Sequence, residues 1–399
     1  MDASAARVPF ARFQSAHPEL DFLLAEVAEA IQLSPTRYKA AEEHYVAVGG
    51  WLADPKSPFA RFEPRIFPQG SMALGTTVSP WGRVEHDVDL VFEVTGGLWT
   101  AKTLFEALYA RLRDNGTFAK LLAPLERSRP GPCARLEYRG EFHLDITPAV
   151  RGIATTRPWL AEYVTTGVLV PRPDLSDWQP SNPEGFIKWF KSRAVEVRRN
   201  WLVEAKLEPL PTQKDVEDKA PLAVAVQLLK RARDVAFNGK SLAPRSIILT
   251  TLAGKHYVGG ESVTAIMQAI LLGIRTEIRA AAGNIIRVTN PTNPEENFAD
   301  SMKKDGQDAL DAFAQNLGAK LAVLQQPGIG IDCLKDEMEK VFGEDTTGRA
   351  AVDSAMRKLA ERHKANREAE RQTYTASSGL SVVHSTGAHR APRNTNYGE

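Results

Sequence analysis

Three aspartates lie inside apolar segments of the sequence, where a carboxylate needs a specific reason to be. Asp87 and Asp89 are two positions apart in VEHDVDLVFEV, and Asp145 lies in FHLDITPAV. Residues at i and i+2 of a β-strand point to the same face, so both carboxylates of the first pair can converge on one point. Burying such charges is costly unless cations neutralise them. If the strand of Asp145 lies beside the first strand, the three form an oxygen-rich site suited to Mg²⁺ or Mn²⁺.

A glycine–serine turn precedes the first two aspartates. Gln69, Gly70 and Ser71 follow the short apolar segment RIFP, and the next residues, MAL, suggest the start of a helix. Such a turn exposes backbone N–H groups and a hydroxyl to an incoming phosphate. A Gly-Ser pair alone is uninformative, but its position before the three acids gives it value. The combination predicts nucleotidyl transfer with two metal ions, which activate the attacking hydroxyl and stabilise the leaving pyrophosphate.

These residues resemble the pattern of the polymerase-β-like nucleotidyltransferase superfamily, and more narrowly that of the bacterial CD-NTases. The CD-NTases are relatives of cGAS and oligoadenylate synthase that make cyclic oligonucleotide second messengers in CBASS antiphage defence. The resemblance covers residues 20 to 345. It is carried by QGSMALGTTV (69–78), DVDLV (87–91), FHLDITPAV (142–150), PL (221–222), LLKRARD (228–234), SIILTTLA (246–253) and NPEENF (293–298).

The resemblance implies roles for individual residues. The metal-binding and catalytic triad would be Asp87, Asp89 and Asp145, which hold two Mg²⁺ or Mn²⁺ ions, and the nucleotide-binding residues would be Gln69, Gly70, Ser71, Lys230 and Ser246. Asp145 would also help to deprotonate the acceptor ribose hydroxyl. Two alternatives stay open: Lys230 could be a solvated residue of the basic run KRAR, and Ser246 could be a helix N-cap after Pro244.

The fold class expected from the element order and the resemblance is α+β. A polymerase-β-like lobe, a mixed sheet with helices, would be followed by a helical C-terminal lobe, with the active-site cleft between the two lobes. The expected divisions are N-terminal helices that pack on both lobes (1–60), the nucleotidyltransferase core (61–180), the helical lobe (181–345), a charged helix (346–372) and a flexible tail (373–399).

Local patterns predict most of the individual elements. Ser34 followed by Pro35 is typical of a helix N-terminus, and ARLEYRGEFHLDITPAV predicts two strands around a tight turn at Arg139-Gly140. Residues 155–182 are expected to form a loop. Helices are expected over residues 20–53, 99–114, 183–203, 218–237, 244–257, 261–282, 294–324 and 349–371, the last of them facing solvent.

Composition limits the classes of protein that the chain can be. Its 399 residues are 43% hydrophobic and 25% charged, with a formal net charge of +1, which is typical of a globular protein rather than one that binds nucleic acid stably. Cys133 and Cys333 are too few for a disulfide framework or a structural zinc site. The histidines next to the acids, His86 and His143, are expected to pack or to donate hydrogen bonds rather than to bind metal. The sequence lacks a secretory signal and a long apolar run, so we expect a cytoplasmic protein without membrane contact.

The resulting functional hypothesis is a cyclic oligonucleotide synthase. It would join ATP and a second nucleoside triphosphate, with GTP among the candidates, into a cyclic di- or trinucleotide that a downstream effector binds. The tail would be available to a ubiquitin-transfer-like partner enzyme. One alternative is a linear oligoadenylate synthase or a transferase that acts on RNA or protein, and another is a catalytically silent nucleotide-binding module.

Overall fold

The computed structural model describes residues 16–81, 86–124, 132–151, 166–194, 212–238, 240–260 and 262–371, together with three short strands near the C-terminus. The described helices are α1 (Pro18–Ala30), α2 (Pro35–Leu52), α3 (Gly70–Leu74), α4 (Ala101–Arg113), α5 (Phe118–Leu121), α6 (Pro183–Arg193), α7 (Pro221–Phe237), α8 (Ser246–His256), α9 (Val263–Ala280), α10 (Lys304–Leu324), α11 (Ile331–Phe342) and α12 (Thr346–Arg371). The described strands are β1 (Arg65–Pro68), β2 (His86–Val94), β3 (Ala134–Tyr138), β4 (Phe142–Arg151), β5 (Val168–Pro171), β6 (Trp178–Ser181), β7 (Thr289–Asn290), β8 (Asn293–Asn297), β9 (Tyr374–Ala376), β10 (Gly379–Ser381) and β11 (His389–Arg390).

The strands β1 to β6 form one mixed sheet in the order β1-β2-β4-β5-β6, with β3 paired to the first part of β4. The two central strands, β2 and β4, are parallel, and the other neighbours are antiparallel. Parallel neighbours need a long crossover, and here it contains α4 and β3. From Leu90 to Val94 every residue of β2 is buried, as expected for a strand covered on both faces.

Two large hydrophobic cores hold the described residues together. One lies between the sheet, α2 and α4, and the other lies among α1 and the helices from α6 to α12. Of the two N-terminal helices, α1 therefore packs in the helical core and α2 packs against the sheet. Ser34 caps α2 by accepting a hydrogen bond from the backbone N–H of Arg37, and Pro35 begins the helix, as the sequence predicted.

Three expectations about local structure are wrong. Residues 155–182 were expected to form a loop, but the described part of this segment contains β5 and β6. The helix expected over 294–324 begins only at Lys304, because residues 293–297 form β8 against β7. The helix α11 was not expected at all, although Met338, Val341 and Phe342 bury its apolar face.

The charged helix α12 was expected to face solvent, but one side of it is buried. It begins at Thr346, and Ala351, Val352, Ala355 and Leu359 are buried in the helical core. Glu26 on α1 forms an ion pair with Lys358 of α12. In the part of the chain that the structure describes, no helix is long and apolar enough to cross a membrane.

Candidate active site

Asp89 and Asp145 lie directly opposite each other on the adjacent parallel strands β2 and β4. In the same register Asp87 lies opposite His143, so all three predicted carboxylates project from one face of the sheet. The side chain of Asp87 is 41% exposed and that of Asp145 is 13% exposed. The three acids therefore lie at the accessible end of their sheet face. Further along β2 the same face carries Val91 and Glu93, which are buried.

The glycine–serine turn lies directly against Asp89. The backbone N–H of Gln69 donates a 2.9 Å hydrogen bond to the carbonyl oxygen of Asp89. Gly70 follows with φ +63°, a left-handed conformation that favours glycine. A Cβ atom at Gly70 would lie 2.3 Å from Oδ2 of Asp89, so the turn can approach this carboxylate only without a side chain. Ser71 is the next residue of α3, so the predicted phosphate turn and the predicted acids form one cluster.

Burial, together with the nearby charges of Asp145 and Asp87, raises the pKa of Asp89 to about 7. Lys230 and Arg135 oppose this rise. An ionised carboxylate in such surroundings is unfavourable unless a cation compensates it. The chemistry of these oxygen donors therefore fits a hard divalent cation.

A fourth charged residue, Arg135 on β3, completes the cluster. Its Nε donates a 2.6 Å hydrogen bond to Oδ1 of Asp145, and Nη2 donates to Oδ2 of the same carboxylate. Nη2 also lies 3.5 Å from Oδ1 of Asp87. The hydrogen bond and the charge of Asp145 raise the pKa of the guanidinium, which is fully charged in any case. Among the described residues, no three acidic, histidine or cysteine side chains are arranged to hold a metal ion as they stand. At the three aspartates, Arg135 contacts two of the carboxylates, those of Asp87 and Asp145.

Lys230 is on α7 and is buried against the loop that follows α3. Its Nζ donates hydrogen bonds of 2.8 Å to the Thr76 hydroxyl and 3.2 Å to the Thr76 carbonyl oxygen. Only 6% of the residue is exposed, so the alternative of a solvated lysine in a basic run is wrong. Burial and the charge of Arg233 lower the pKa of Lys230 to about 7, although the charges of Asp234 and Asp89 oppose this shift.

Two further buried residues of α7 hold the same loop. Gln227 donates a 2.7 Å hydrogen bond to the carbonyl oxygen of Thr77, and Arg231 donates a 3.0 Å bond to that of Ser79. Both side chains are 0% exposed. Through these contacts the helical core fixes the segment that leads away from the Gly70–Ser71 turn.

Ser246 lies at the start of α8, but it does not cap that helix. The N-cap position is Arg245, with no side-chain cap, so the N-cap alternative for Ser246 is wrong. The Ser246 hydroxyl instead accepts a 2.6 Å hydrogen bond from Nη1 of Arg233. Nη2 of the same arginine donates to the carboxylate of Asp234.

Two other groups close to the acids, His86 and Cys133, are kept neutral. Burial, assisted by the charge of Arg37, lowers the pKa of His86 to about 4. Burial and the charge of Asp145 raise the pKa of the Cys133 thiol to about 12. A neutral thiol is a poor metal ligand, so the site offers oxygen donors.

Similarity to individual known proteins, rather than to a family model, identifies the family of this chain. No model of a known protein family matches the chain. A c-di-GMP synthase from Roseivirga ehrenbergii is 33% identical over 295 residues, which are 72% of this chain and 74% of that protein. The chain belongs to the CD-NTase family. The cyclic dinucleotide synthase CdnG of Bradyrhizobium diazoefficiens, 28% identical over 91% of this chain and 88% of its own length, is a second such relative.

Solved CD-NTase structures share the fold. The structure of the Bradyrhizobium CdnG in complex with GTP has a TM-score of 0.67 and 26% identity and covers 86% of this chain and 99% of its own. Escherichia coli DncV in its 3'-deoxy GTP bound form has a TM-score of 0.54 at 15% identity, covers 80% of this chain and 94% of its own, and supports the fold alone. As a CD-NTase, the chain is a nucleotidyltransferase with the α+β architecture that the sequence predicted.

The contacts of Arg135, Gln227 and Thr76 were not foreseen from the sequence. A signal for Arg135 existed, because ARLEY alternates polar and apolar residues and so places Arg135 and Glu137 on one strand face. Its pairing with Asp145 depends on the register of β3 against β4, which the alternation does not define.

Proposed function

We propose that this CD-NTase joins nucleoside triphosphates, GTP among them, into a cyclic dinucleotide with release of pyrophosphate. The observation that carries the proposal is the arrangement of Asp89 opposite Asp145 with the Gly70 turn against Asp89. Nucleotidyl transfer uses carboxylates that can hold divalent cations beside a turn whose backbone N–H groups can bind phosphate.

Each residue has a proposed part in the reaction. Asp87, Asp89 and Asp145 would hold two Mg²⁺ or Mn²⁺ ions, which supply the positive charge that activates the acceptor hydroxyl and stabilises pyrophosphate. Gln69, Gly70 and Ser71 would bind the donor triphosphate. A partly exposed Asp145 can accept the proton of the acceptor hydroxyl once its carboxylate is turned toward it.

Lys230 and Ser246 are proposed to contact the triphosphate from the helical side. Lys230 would have to exchange a contact with Thr76 for a phosphate oxygen, and its low pKa favours this exchange because an anion stabilises the buried ammonium. Ser246 would act together with Arg233, whose guanidinium already holds its hydroxyl.

Guanine nucleotides are the proposed substrates because both curated relatives suggest them. One is named a c-di-GMP synthase, and the structure of the other contains GTP. The expectation of ATP plus a second nucleoside triphosphate, and of a trinucleotide product, remains open beside this choice.

The test is to incubate the protein and Mg²⁺ with GTP, with ATP, or with both, to treat the products with phosphatase, and to weigh them by mass spectrometry. We expect a phosphatase-resistant cyclic dinucleotide that contains guanine. A phosphatase-sensitive oligomer would favour a linear synthase, and the absence of any product in all three mixtures would favour a silent binding module.

The biological context is proposed by analogy with the CD-NTases as a group. The product would act in antiphage defence by binding a downstream effector, and the C-terminal segment would be joined to targets by a ubiquitin-transfer-like enzyme. If removal of the last ten residues left conjugation by such an enzyme unchanged, this role of the tail would be wrong.

A further inference from the structure

Arg135 uses the oxygens that the proposed function assigns to a metal ion. Its two N–H groups bind both oxygens of Asp145 in a bidentate pair, and the same guanidinium reaches Asp87. The side chain of Arg135 is 7% exposed, so water competes weakly for these contacts. Bidentate arginine–carboxylate pairs of this kind are among the strong charge-assisted interactions.

A divalent cation bound at this arrangement would meet the positive charge of Arg135. Mg²⁺ needs oxygen ligands at about 2.0 to 2.1 Å in near-octahedral geometry. Both oxygens of Asp145 already accept hydrogen bonds from Arg135, and a cation at Asp145 would be close to a second positive charge. Each carboxylate oxygen keeps a second lone pair, but the repulsion between the guanidinium and the cation means that metal binding at Asp145 and the arginine contacts oppose each other.

We propose that Arg135 competes with the divalent cation for Asp145 and Asp87, so that metal loading depends on a group that draws the guanidinium away. This inference rests on the proposed function, because it takes Asp145 as a metal ligand. A nucleoside triphosphate is suited to release the arginine, since its phosphate oxygens can accept the same two N–H groups. The site then binds a metal ion weakly when no nucleotide is present and strongly together with a nucleotide. Metal binding without substrate is thereby limited.

The test is Mn²⁺ binding to the full chain without nucleotide, measured by electron paramagnetic resonance of the free ion. Arg135→Met removes the competing charge and keeps an apolar side chain of similar length. We expect it to bind Mn²⁺ about tenfold or more tightly than the wild type. Arg135→Lys keeps the charge but cannot form the bidentate pair, and we expect an intermediate gain. Equal or weaker binding by both variants overturns the proposal.

Two further variants identify the site of any gain. Arg151, which pairs with Glu93 on the same sheet, provides the matched control, and Arg151→Met should leave Mn²⁺ binding unchanged. In the double variant Arg135→Met/Asp145→Asn the gain should disappear. If the double variant keeps it, the added binding is elsewhere and the proposal is wrong.

The outcome is separate from that of the proposed function. Pyrophosphate release by the wild type in GTP and Mg²⁺ tests the enzyme, whereas Mn²⁺ binding without nucleotide tests the arginine. An active wild type with no gain in Arg135→Met overturns the competition alone. An inactive wild type whose Arg135→Met variant gains binding overturns the proposed function and leaves the competition standing.

Discussion

Asp89 and Asp145 are direct neighbours across two parallel strands, although 56 positions separate them in the chain. The parallel pairing of β2 and β4 aligns them because the crossover through α4 and β3 returns the chain in the same direction. Every proposed catalytic role depends on this alignment. A shift of β4 by one residue would turn Asp145 to the opposite face of the sheet.

The first prediction concerns Gly70. Gly70→Ala should lower pyrophosphate release by about a hundredfold, because the new Cβ would collide with Oδ2 of Asp89 and displace it. Gly140→Ala is the matched control. Gly140 also has a positive φ, +79°, but its Cβ would meet nothing within 4 Å. Both variants should lose about 1 to 2 kcal/mol of stability in urea unfolding, and only the first should lose activity. Equal activity in the two would show that the close approach to Asp89 is unimportant.

The second prediction separates two roles of Lys230. If its ammonium binds the triphosphate, Lys230→Met should raise the KM for GTP about tenfold or more. Thr76→Val removes the hydroxyl that accepts from Lys230 but leaves the lysine in place. It should change the KM by less than about threefold. Similar changes in both variants, measured by steady-state pyrophosphate release, would mean that Lys230 serves only to hold the loop.

The third prediction concerns pH and His86. The pKa of His86 is about 4 in the folded protein and 6.5 in the unfolded chain, so the unfolded state binds more protons between these values. Stability from this group is present above pH 6.5 and is lost as the pH falls toward 4. The wild type should lose roughly 1.3 kcal/mol through His86 between pH 7.5 and pH 5.5. The free energy of unfolding of His86→Phe, measured in urea, should lack this part of the loss. If the unfolding free energies of the two proteins fell in parallel with pH, the prediction would be wrong.

The fourth prediction concerns the contact between the sheet and the helical part of the chain. Arg65 on β1 lies 3.7 Å from buried Glu93 and donates a 2.8 Å hydrogen bond to Glu184 on α6. Arg65→Met removes a positive charge that pairs with both carboxylates. It should lower the free energy of unfolding by about 3 kcal/mol. Arg151→Met, which removes a 44% exposed partner of Glu93, should cost clearly less. Equal losses in denaturant unfolding would contradict this ranking.

The sequence predicted the parts of the site that follow from strand periodicity. The alternation around Asp87 and Asp89, the turn at Arg139-Gly140 and the cap at Ser34 depend on local rules, and the structure contains each of them. The family resemblance supplied the α+β fold and the identification as a nucleotidyltransferase.

The features that were missed depend on distant contacts. The buried position of Lys230 is set by the loop around Thr76, which lies far from it in the chain. The segment at residues 293–297 has a helix-compatible sequence, but its pairing with β7 and the contact of Glu296 with Ser181 make it a strand. The pairing of Arg135 with Asp145 required the register of two strands. Local propensity does not contain such information.

The most direct test of the account is pyrophosphate release from GTP and Mg²⁺ by the wild type and by Asp89→Asn and Asp145→Asn. Asparagine keeps the size of each side chain but cannot supply the charge. We predict that each variant loses activity by about a hundredfold or more while remaining folded, and that Asp145→Asn also loses melting temperature because Arg135 loses its charged partner. If either variant released pyrophosphate at the wild-type rate, the facing carboxylates of β2 and β4 would not be the catalytic centre.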